Sequence, residues 1–185
     1  MVPLTALWLP IVVSAIIVFV ASSIMHAVLT YHQSDCQQIP DEANILAALR
    51  TAGLKRGYYH FPFGSHKEMK SPAMMEKYKQ GPVGMMTVFP SNPPAMPKFL
   101  GMWFAYCLII GFFVAYLTGH TVAPGTNYLA VFCVAGTAAF MAYGLGQLSN
   151  GIWKGQPWGM TVKEVIDGLV YGLLTAGTFG WLWPR

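Results

Sequence analysis

Two ionisable side chains stand inside long apolar stretches of the sequence. His26 lies near the end of the first stretch, and Asp167 lies near the start of the last. Ionisable residues are costly within a membrane span, which makes both of them candidates for a functional site. Polar side chains at helical spacing could join them in one buried network: His26, Tyr143, Gln147, Asn150, Asp167 and Tyr171. This network could relay a proton, hold a small polar ligand, or serve only as a hydrogen-bonded contact between helices.

Metal binding and catalysis are less favoured by the same residues. His26 and Asp167 are the only strong metal ligands of the network, and two ligands make an incomplete site. A second set of ligand-type side chains lies outside the apolar stretches: His32, Cys36, His60 and His66. The sequence contains no Ser-His-Asp order, phosphate loop, HExxH motif or dinucleotide fingerprint. We therefore predict no catalytic, cofactor-binding or metal-binding residues, and no enzymatic activity.

The composition indicates a membrane protein. Hydrophobic residues make up 55% of the 185 residues and charged residues only 10%, whereas soluble domains contain about 25% charged residues. The net charge of +4 is small and scattered, which argues against a nucleic-acid-binding protein. The three cysteines form no CxxC pair, which excludes a disulfide scaffold, a common zinc ribbon and covalently attached c-type haem.

Four stretches are long and apolar enough to cross a bilayer, which requires about 20 residues. The predicted spans are 6–30, 98–118, 127–152 and 162–183. The first is too long for a signal peptide and has no basic residue before it, so we expect a retained transmembrane helix. Thr161-Val-Lys-Glu164 fits a capping box that would begin the fourth helix. We predict an all-α integral membrane protein: one domain over 1–185, with a four-transmembrane-helix bundle and a long loop at 31–97.

The basic residues predict the orientation of these spans. Every Lys and Arg except Arg185 falls in the loop 31–97, at its edge, between spans three and four, or at the start of span four. The positive-inside rule then places both termini outside and the long loop in the cytoplasm, across a bacterial inner membrane. The six tryptophans fit two interfacial belts: Trp8, Trp181 and Trp183 outside, and Trp103, Trp153 and Trp158 inside.

Small residues at intervals of four predict tight packing between spans three and four. The residues of these stripes are Gly168, Gly172, Ala176 and Gly180 in span four, and Ala138, Ala142 and Gly146 in span three, with Ala135 and Ala139 beside them. Close backbone approach at such residues drives helix association in lipid.

The loop 31–97 is predicted to be partly structured. Pro40-Asp41-Glu42 would begin a short helix that ends before Gly53, and Ser71 would cap a second helix that ends at Gly81-Pro82. Residues 57–63 read as extended, and 83–89 form an apolar run too short to span. The many Met and aromatic residues of the loop either cover the bundle and headgroups or form a docking surface for a partner.

Several segments carry a resemblance to known sequences. They are His26–Asp35 (HAVLTYHQSD), Met69–Pro72 (MKSP), Lys79–Pro82 (KQGP), Asp167-Gly168 and Thr175–Arg185 (TAGTFGWLWPR). With these segments the chain resembles a family of small bacterial four-span membrane proteins that has no assigned function. The resemblance covers nearly the whole chain and implies the same four-span plan with a loop after the first span.

The features together favour a non-catalytic accessory or scaffolding subunit of a larger membrane complex, such as a photosynthetic or respiratory one. Its expected partners are the lipid bilayer and other membrane protein subunits, without nucleic acid. The alternative is a small transporter or ligand-binding membrane protein that uses a pocket at His26 and Asp167. Transport is disfavoured because the sequence shows no internal repeat and no broken mid-membrane helix. A membrane enzyme with a metal or haem is a third reading, for which one histidine within a span offers few ligands.

Overall fold

The computed structural model describes residues 1–185. The chain divides into two compact units, one formed by 1–35 with 95–185 and the other by 36–94, and the single domain over 1–185 stays a prediction. In chain order the elements are α1 (Trp8–Ala27), α2 (Glu42–Thr51), β1 (Gly57–Phe61), α3 (Pro72–Gln80), β2 (Gly84–Val88), α4 (Met96–Thr121), α5 (Tyr128–Tyr143), α6 (Leu148–Trp153) and α7 (Trp158–Trp181). The first unit contains α1 and α4 to α7, and the second contains the elements between them.

Three segments are long and apolar enough to cross a membrane. They are Leu4–Ala27, Met96–Thr121 and Tyr128–Trp153, which correspond to the first three predicted spans. The chain is therefore compatible with a multi-pass membrane protein. α7 has 24 residues but does not reach the same hydropathy, because it contains Glu164, Asp167 and several glycines and threonines. The fourth span stays a prediction.

One local expectation about these helices is wrong. α7 begins at Trp158 after the extended Pro157, so Thr161 is not a helix cap, and its hydroxyl instead donates to the Pro157 carbonyl at 3.3 Å. The Thr161 N–H also donates to the Pro157 carbonyl, at 3.0 Å, so the backbone is already helical where the capping box was expected to begin the helix. Within the third segment, which matches its predicted span, a 3-10 turn at Leu145–Gln147 separates α5 from α6.

The interface between α5 and α7 is built on glycine. A Cβ atom at Gly168 would lie 2.3 Å from the Cα of Gly144, and one at Gly172 would lie 3.1 Å from the backbone nitrogen of Phe140. A Cβ atom at Gly180 would meet the ring of Tyr128 at 2.7 Å. The two backbones therefore touch along most of α7, which is the packing that the small-residue stripe predicts.

The α5 side of this interface differs from the prediction. The residues facing α7 include Gly136, which lies against Ala176, together with Phe140 and Gly144. Ala142 and Gly146 are exposed and Ala138 is only half-buried, while the neighbouring Ala135 and Ala139 are fully buried. The stripe Ala138, Ala142 and Gly146 is thus corrected: the sequence offered several small-residue stripes on α5, and spacing alone did not distinguish them.

The tryptophans divide into two groups. Trp8, Trp153, Trp158 and Trp181 are exposed, as interfacial anchors would be. Trp183 is buried and donates its indole N–H to the Ala123 carbonyl at 3.0 Å, and Trp103 donates to the Ser22 hydroxyl oxygen at 2.8 Å. Trp103 and Trp183 therefore pack within the fold with satisfied N–H groups, and the placement of the six tryptophans at the membrane interfaces stays a prediction.

The second unit contains a two-stranded antiparallel sheet, an exception to the all-α prediction. β1 pairs with β2, with Gly57 opposite Val88 and Phe61 opposite Gly84. Both segments were recognised as extended or apolar, but their pairing was missed because α3 separates them in sequence. The two short helices are confirmed, including the cap at Ser71, whose hydroxyl oxygen accepts from the Met74 N–H at 3.2 Å.

Candidate functional site

A polar cluster lies where α1 ends and α7 begins. A 3-10 turn at Thr30–His32 follows α1 and brings side chains from the following segment onto α7. Asp167, in the third turn of α7, is 3% exposed. The Tyr31 hydroxyl donates to its Oδ1 atom, and the His32 Nε2–H donates to its Oδ2 atom at 2.8 Å. These two bonds satisfy a carboxylate that would be costly to bury alone.

Lys163 lies one helical turn before Asp167 and ties the same segment to α7. Its ammonium group donates to Asp35 Oδ1 at 2.6 Å, to the Tyr31 carbonyl at 2.5 Å and to the Ser34 hydroxyl oxygen at 2.9 Å. All three donor positions of a lysine are thereby used. The tie places Asp35 beside His32, whose Nδ1 lies 2.6 Å from Asp35 Oδ2.

His32 therefore sits between two carboxylates. A carboxylate accepts hydrogen bonds and does not donate them when ionised, so both ring nitrogens of His32 carry a proton in this arrangement. The cluster then contains two anions, Asp35 and Asp167, and two cations, His32 and Lys163. The balance of charge explains how four ionisable groups can be packed together.

The pKa shifts agree with this protonation pattern. Burial acts to lower the pKa of His32, but hydrogen bonds to Asp35 and Asp167 outweigh it and raise that pKa above its usual value. The hydrogen bond from Lys163, followed by the one from His32, lowers the pKa of Asp35. Burial raises the pKa of the Tyr31 hydroxyl, and the neighbouring Asp167 raises it further. Tyr31 is thus a neutral donor at neutral pH.

His26 completes the cluster from α1. Its ring stacks on that of His32, with centroids 4.4 Å apart and planes inclined by 13°. Its Nδ1 is 3.0 Å from the Ser22 carbonyl, and its Nε2 is 3.7 Å from Asp167 Oδ2, beyond hydrogen-bond distance. One ligand atom each from His26, His32 and Asp167 lie within 4.8 Å of one another, which is a set that could hold a metal ion.

A cleft of about 350 Å³ opens beside this cluster. Aromatic side chains form much of its wall, namely Trp103, Tyr143 and Tyr171, and polar groups of His26 and Asp167 also line it. The Tyr171 ring packs edge-on against Tyr143 at 5.7 Å and Trp103 at 6.2 Å. The Tyr171 hydroxyl is buried and has no hydrogen-bond partner.

The structure brings together most of the predicted network. His26, Tyr143, Gln147, Asp167 and Tyr171 all line the cleft. Asn150 does not, since its amide donates to Gln147 at 3.0 Å and accepts from Lys154 at 2.8 Å. The residues are neighbours around a cavity, and no hydrogen bond joins His26, Tyr143 or Tyr171 directly to Asp167.

The strongest interactions of the site come from residues that the network prediction omitted. They are Tyr31, His32, Asp35 and Lys163. One signal was available, because Lys163 and Asp167 are four residues apart and share a helix face. The fold-back after α1 was not visible in the sequence. The second set of ligand-type side chains is divided, because His32 lies in the first unit and Cys36, His60 and His66 lie in the second.

Comparisons with protein-family models, curated proteins and solved structures find no match to this chain.

Proposed function

We propose that this protein spans the membrane four times and binds a small organic ligand in the cleft between its helices. The observation that carries the proposal is that Tyr171, a residue that lines the cleft, has a buried hydroxyl without a hydrogen-bond partner. Buried hydroxyl groups are nearly always hydrogen-bonded, so an orphan at a cavity wall suggests a missing acceptor. Cavities of this size are typical of small-molecule sites.

The lining defines the chemistry of the ligand. Trp103, Tyr143 and Tyr171 offer flat aromatic surfaces, which suit a planar or apolar body. An acceptor oxygen on that body would satisfy the Tyr171 hydroxyl. His26 and Glu164 add polar groups to the same cleft, so the proposed ligand is amphipathic, with an apolar body and at least one polar group.

The fourth span is supported by the two faces of α7. One face carries the glycines that touch α5. A second face exposes apolar side chains at helical spacing, and these are Val162, Ile166, Leu169 and Leu173. The ionisable side chains of Lys163 and Asp167 are paired with Asp35 and His32, respectively, rather than directed outward. Pairing and apolar exposure together reduce the cost of placing α7 in lipid.

The proposed orientation has both termini outside the cell and the long loop on the cytoplasmic side of a bacterial inner membrane. It can be tested on the exposed Cys36. A membrane-impermeant maleimide should leave Cys36 unmodified in intact cells and modify it after permeabilisation, as read by mass spectrometry of the peptide. An Ala123→Cys variant places a thiol between α4 and α5 and should be modified in intact cells. The reverse pattern for the two sites would contradict the orientation.

The ligand can be sought by purifying the full chain in mild detergent and identifying extracted small molecules by mass spectrometry. Leu100 lines the cleft, so Leu100→Trp should fill part of it and lower the ligand occupancy at least tenfold. The matched control is Leu129→Trp, at an exposed α5 position, which should retain the ligand. Absence of any ligand from the wild-type chain, or equal occupancy in both variants, would refute cleft binding.

The second candidate function is the accessory subunit of a larger membrane complex. It is favoured by large apolar side chains exposed in the second unit, where Phe63 is 82% and Phe89 is 72% exposed. Exposed aromatic residues are common at protein interfaces. In the same purification, stoichiometric co-migrating membrane proteins would support this function, and a chain that migrates alone would count against it.

A further inference from the structure

We propose that His26, His32 and Asp167 form a binding site for a divalent first-row transition metal ion. His32 Nε2 lies 2.8 Å and His26 Nε2 lies 3.7 Å from Asp167 Oδ2, and the three ligand atoms are all within 4.8 Å of one another. Two imidazole nitrogens and one carboxylate oxygen suit ions such as Zn²⁺, Fe²⁺ and Co²⁺. The site goes beyond the proposed function and does not require the cleft to hold an organic ligand.

The hydrogen bonds behind the proposed ligands are of the kind that support metal-binding histidines. Metal-binding histidines almost always donate their second ring N–H to a carbonyl or carboxylate. His26 Nδ1 is 3.0 Å from the Ser22 carbonyl, and His32 Nδ1 is 2.6 Å from Asp35 Oδ2. Each bond directs the Nε2 atom of its ring toward Asp167. The Tyr31 hydroxyl holds the other oxygen of that carboxylate.

The hydrogen bonds of the cluster leave the Nε2 atom of His26 unused. Its Nε2 lies too far from Asp167 for a hydrogen bond, and its side chain is 54% exposed, yet its ring is stacked and its Nδ1 is tied to the backbone. An ion between His26, His32 and Asp167 would use that free Nε2. The ion would take the place of the proton between His32 and Asp167, and that proton would leave to solvent.

The geometry also leaves the ion accessible. The site supplies three protein ligands, and both His26 and Asp167 line the cleft. A three-ligand site with an open position binds water or a further ligand there. The proposed metal would therefore face the cleft and be reachable from solution past the exposed side of His26.

The test uses the full chain, purified in mild detergent with a histidine-free affinity tag, stripped with a chelator and titrated with Co²⁺ alone and then Zn²⁺ alone. We expect one Co²⁺ per chain by elemental analysis, a visible d–d absorption spectrum, and displacement by Zn²⁺. His26→Gln should weaken Co²⁺ binding at least tenfold while the metal-free melting temperature is unchanged, because the side chain is largely exposed.

The matched control is His120→Gln. His120 Nδ1 also contacts the carbonyl four residues earlier, at 2.7 Å, but the residue belongs to no ligand cluster, so Co²⁺ binding should stay at the wild-type level. The proposal is overturned if the wild-type chain binds no stoichiometric Co²⁺, or if His26→Gln binds it as tightly. Because the bound organic ligand is measured in a separate experiment, failure to bind Co²⁺ would overturn the metal site without deciding the cleft proposal.

Discussion

A Gly168→Ala variant is expected to be less stable than the wild-type chain by about 3 kcal/mol, the upper part of the range for overpacked cores. The added Cβ would lie 2.3 Å from the Gly144 Cα and 2.5 Å from the Gly144 nitrogen. Real contacts never become that short, and the obstacle is backbone, which cannot rotate away as a side chain can. Relief requires α5 and α7 to separate, which loosens the contacts along both helices.

The measurement is unfolding of the purified chain in detergent, by heat and by a denaturing detergent. The control is Gly101→Ala, on α4, where a Cβ meets nothing within 4 Å. That change should be neutral or slightly stabilising, because alanine favours helix more than glycine does. Equal stability of the Gly168→Ala variant and the wild type would mean that α5 and α7 do not meet at this point.

The sequence predicted the helices well because long apolar stretches leave few alternatives for the backbone. The first three predicted spans correspond to membrane-compatible helices, and the glycine stripe of α7 faces α5. The predicted helix contacts were wrong where the sequence allowed several packing faces equally well. α5 offers small residues on adjacent faces, and only the packed partner decides that Gly136 and Gly144 face α7 while Ala142 and Gly146 do not.

The site was predicted less completely, for a physical reason. Asp167 and His26 stood out because ionisable groups are rare in apolar helices. The partners of Asp167 come from the segment after α1, more than 130 residues away in sequence, through a fold-back that leaves no periodic pattern. His32 and Asp35 therefore read as loop residues, although the hydrogen bonds between them and α7 hold the cluster together.

The second large effect is expected for Asp167→Asn, which should destabilise the metal-free chain by about 3 kcal/mol. The substitution removes one of two anions and leaves His32 and Lys163 with Asp35 alone. His32 loses a charged acceptor at 2.8 Å while its side chain stays 14% exposed. Breaking a buried ion pair from one side is costly, because the remaining charge keeps its desolvation without its partner. Unfolding is measured in the presence of a chelator, so that metal binding does not contribute.

A double variant tests whether the effect of Asp167→Asn comes from the lost balance of charge. The double variant Asp167→Asn with His32→Gln removes one anion and one cation, and it leaves Asp35 paired with Lys163 at 2.6 Å. We expect it to be more stable than the sum of the two single effects allows, with a coupling of about 1–3 kcal/mol. The control is Glu164→Gln on the same helix, whose partner is the neutral Gln156 amide at 2.7 Å. Without an opposite charge to lose, that variant should change stability by less than about 1 kcal/mol.

Additive single effects would contradict the charge-balanced cluster and show that His32 and Asp167 act independently. Strong coupling together with a wild-type Co²⁺ response in the His26→Gln variant would assign the cluster a structural role and leave the metal proposal without support. Strong coupling together with the loss of Co²⁺ binding in the His26→Gln variant would mean that the same side chains have two roles. They pair as ions in the metal-free chain and act as ligands when the metal binds. This outcome follows from the geometry, because His32 Nε2 reaches Asp167 directly while His26 Nε2 remains free beside them.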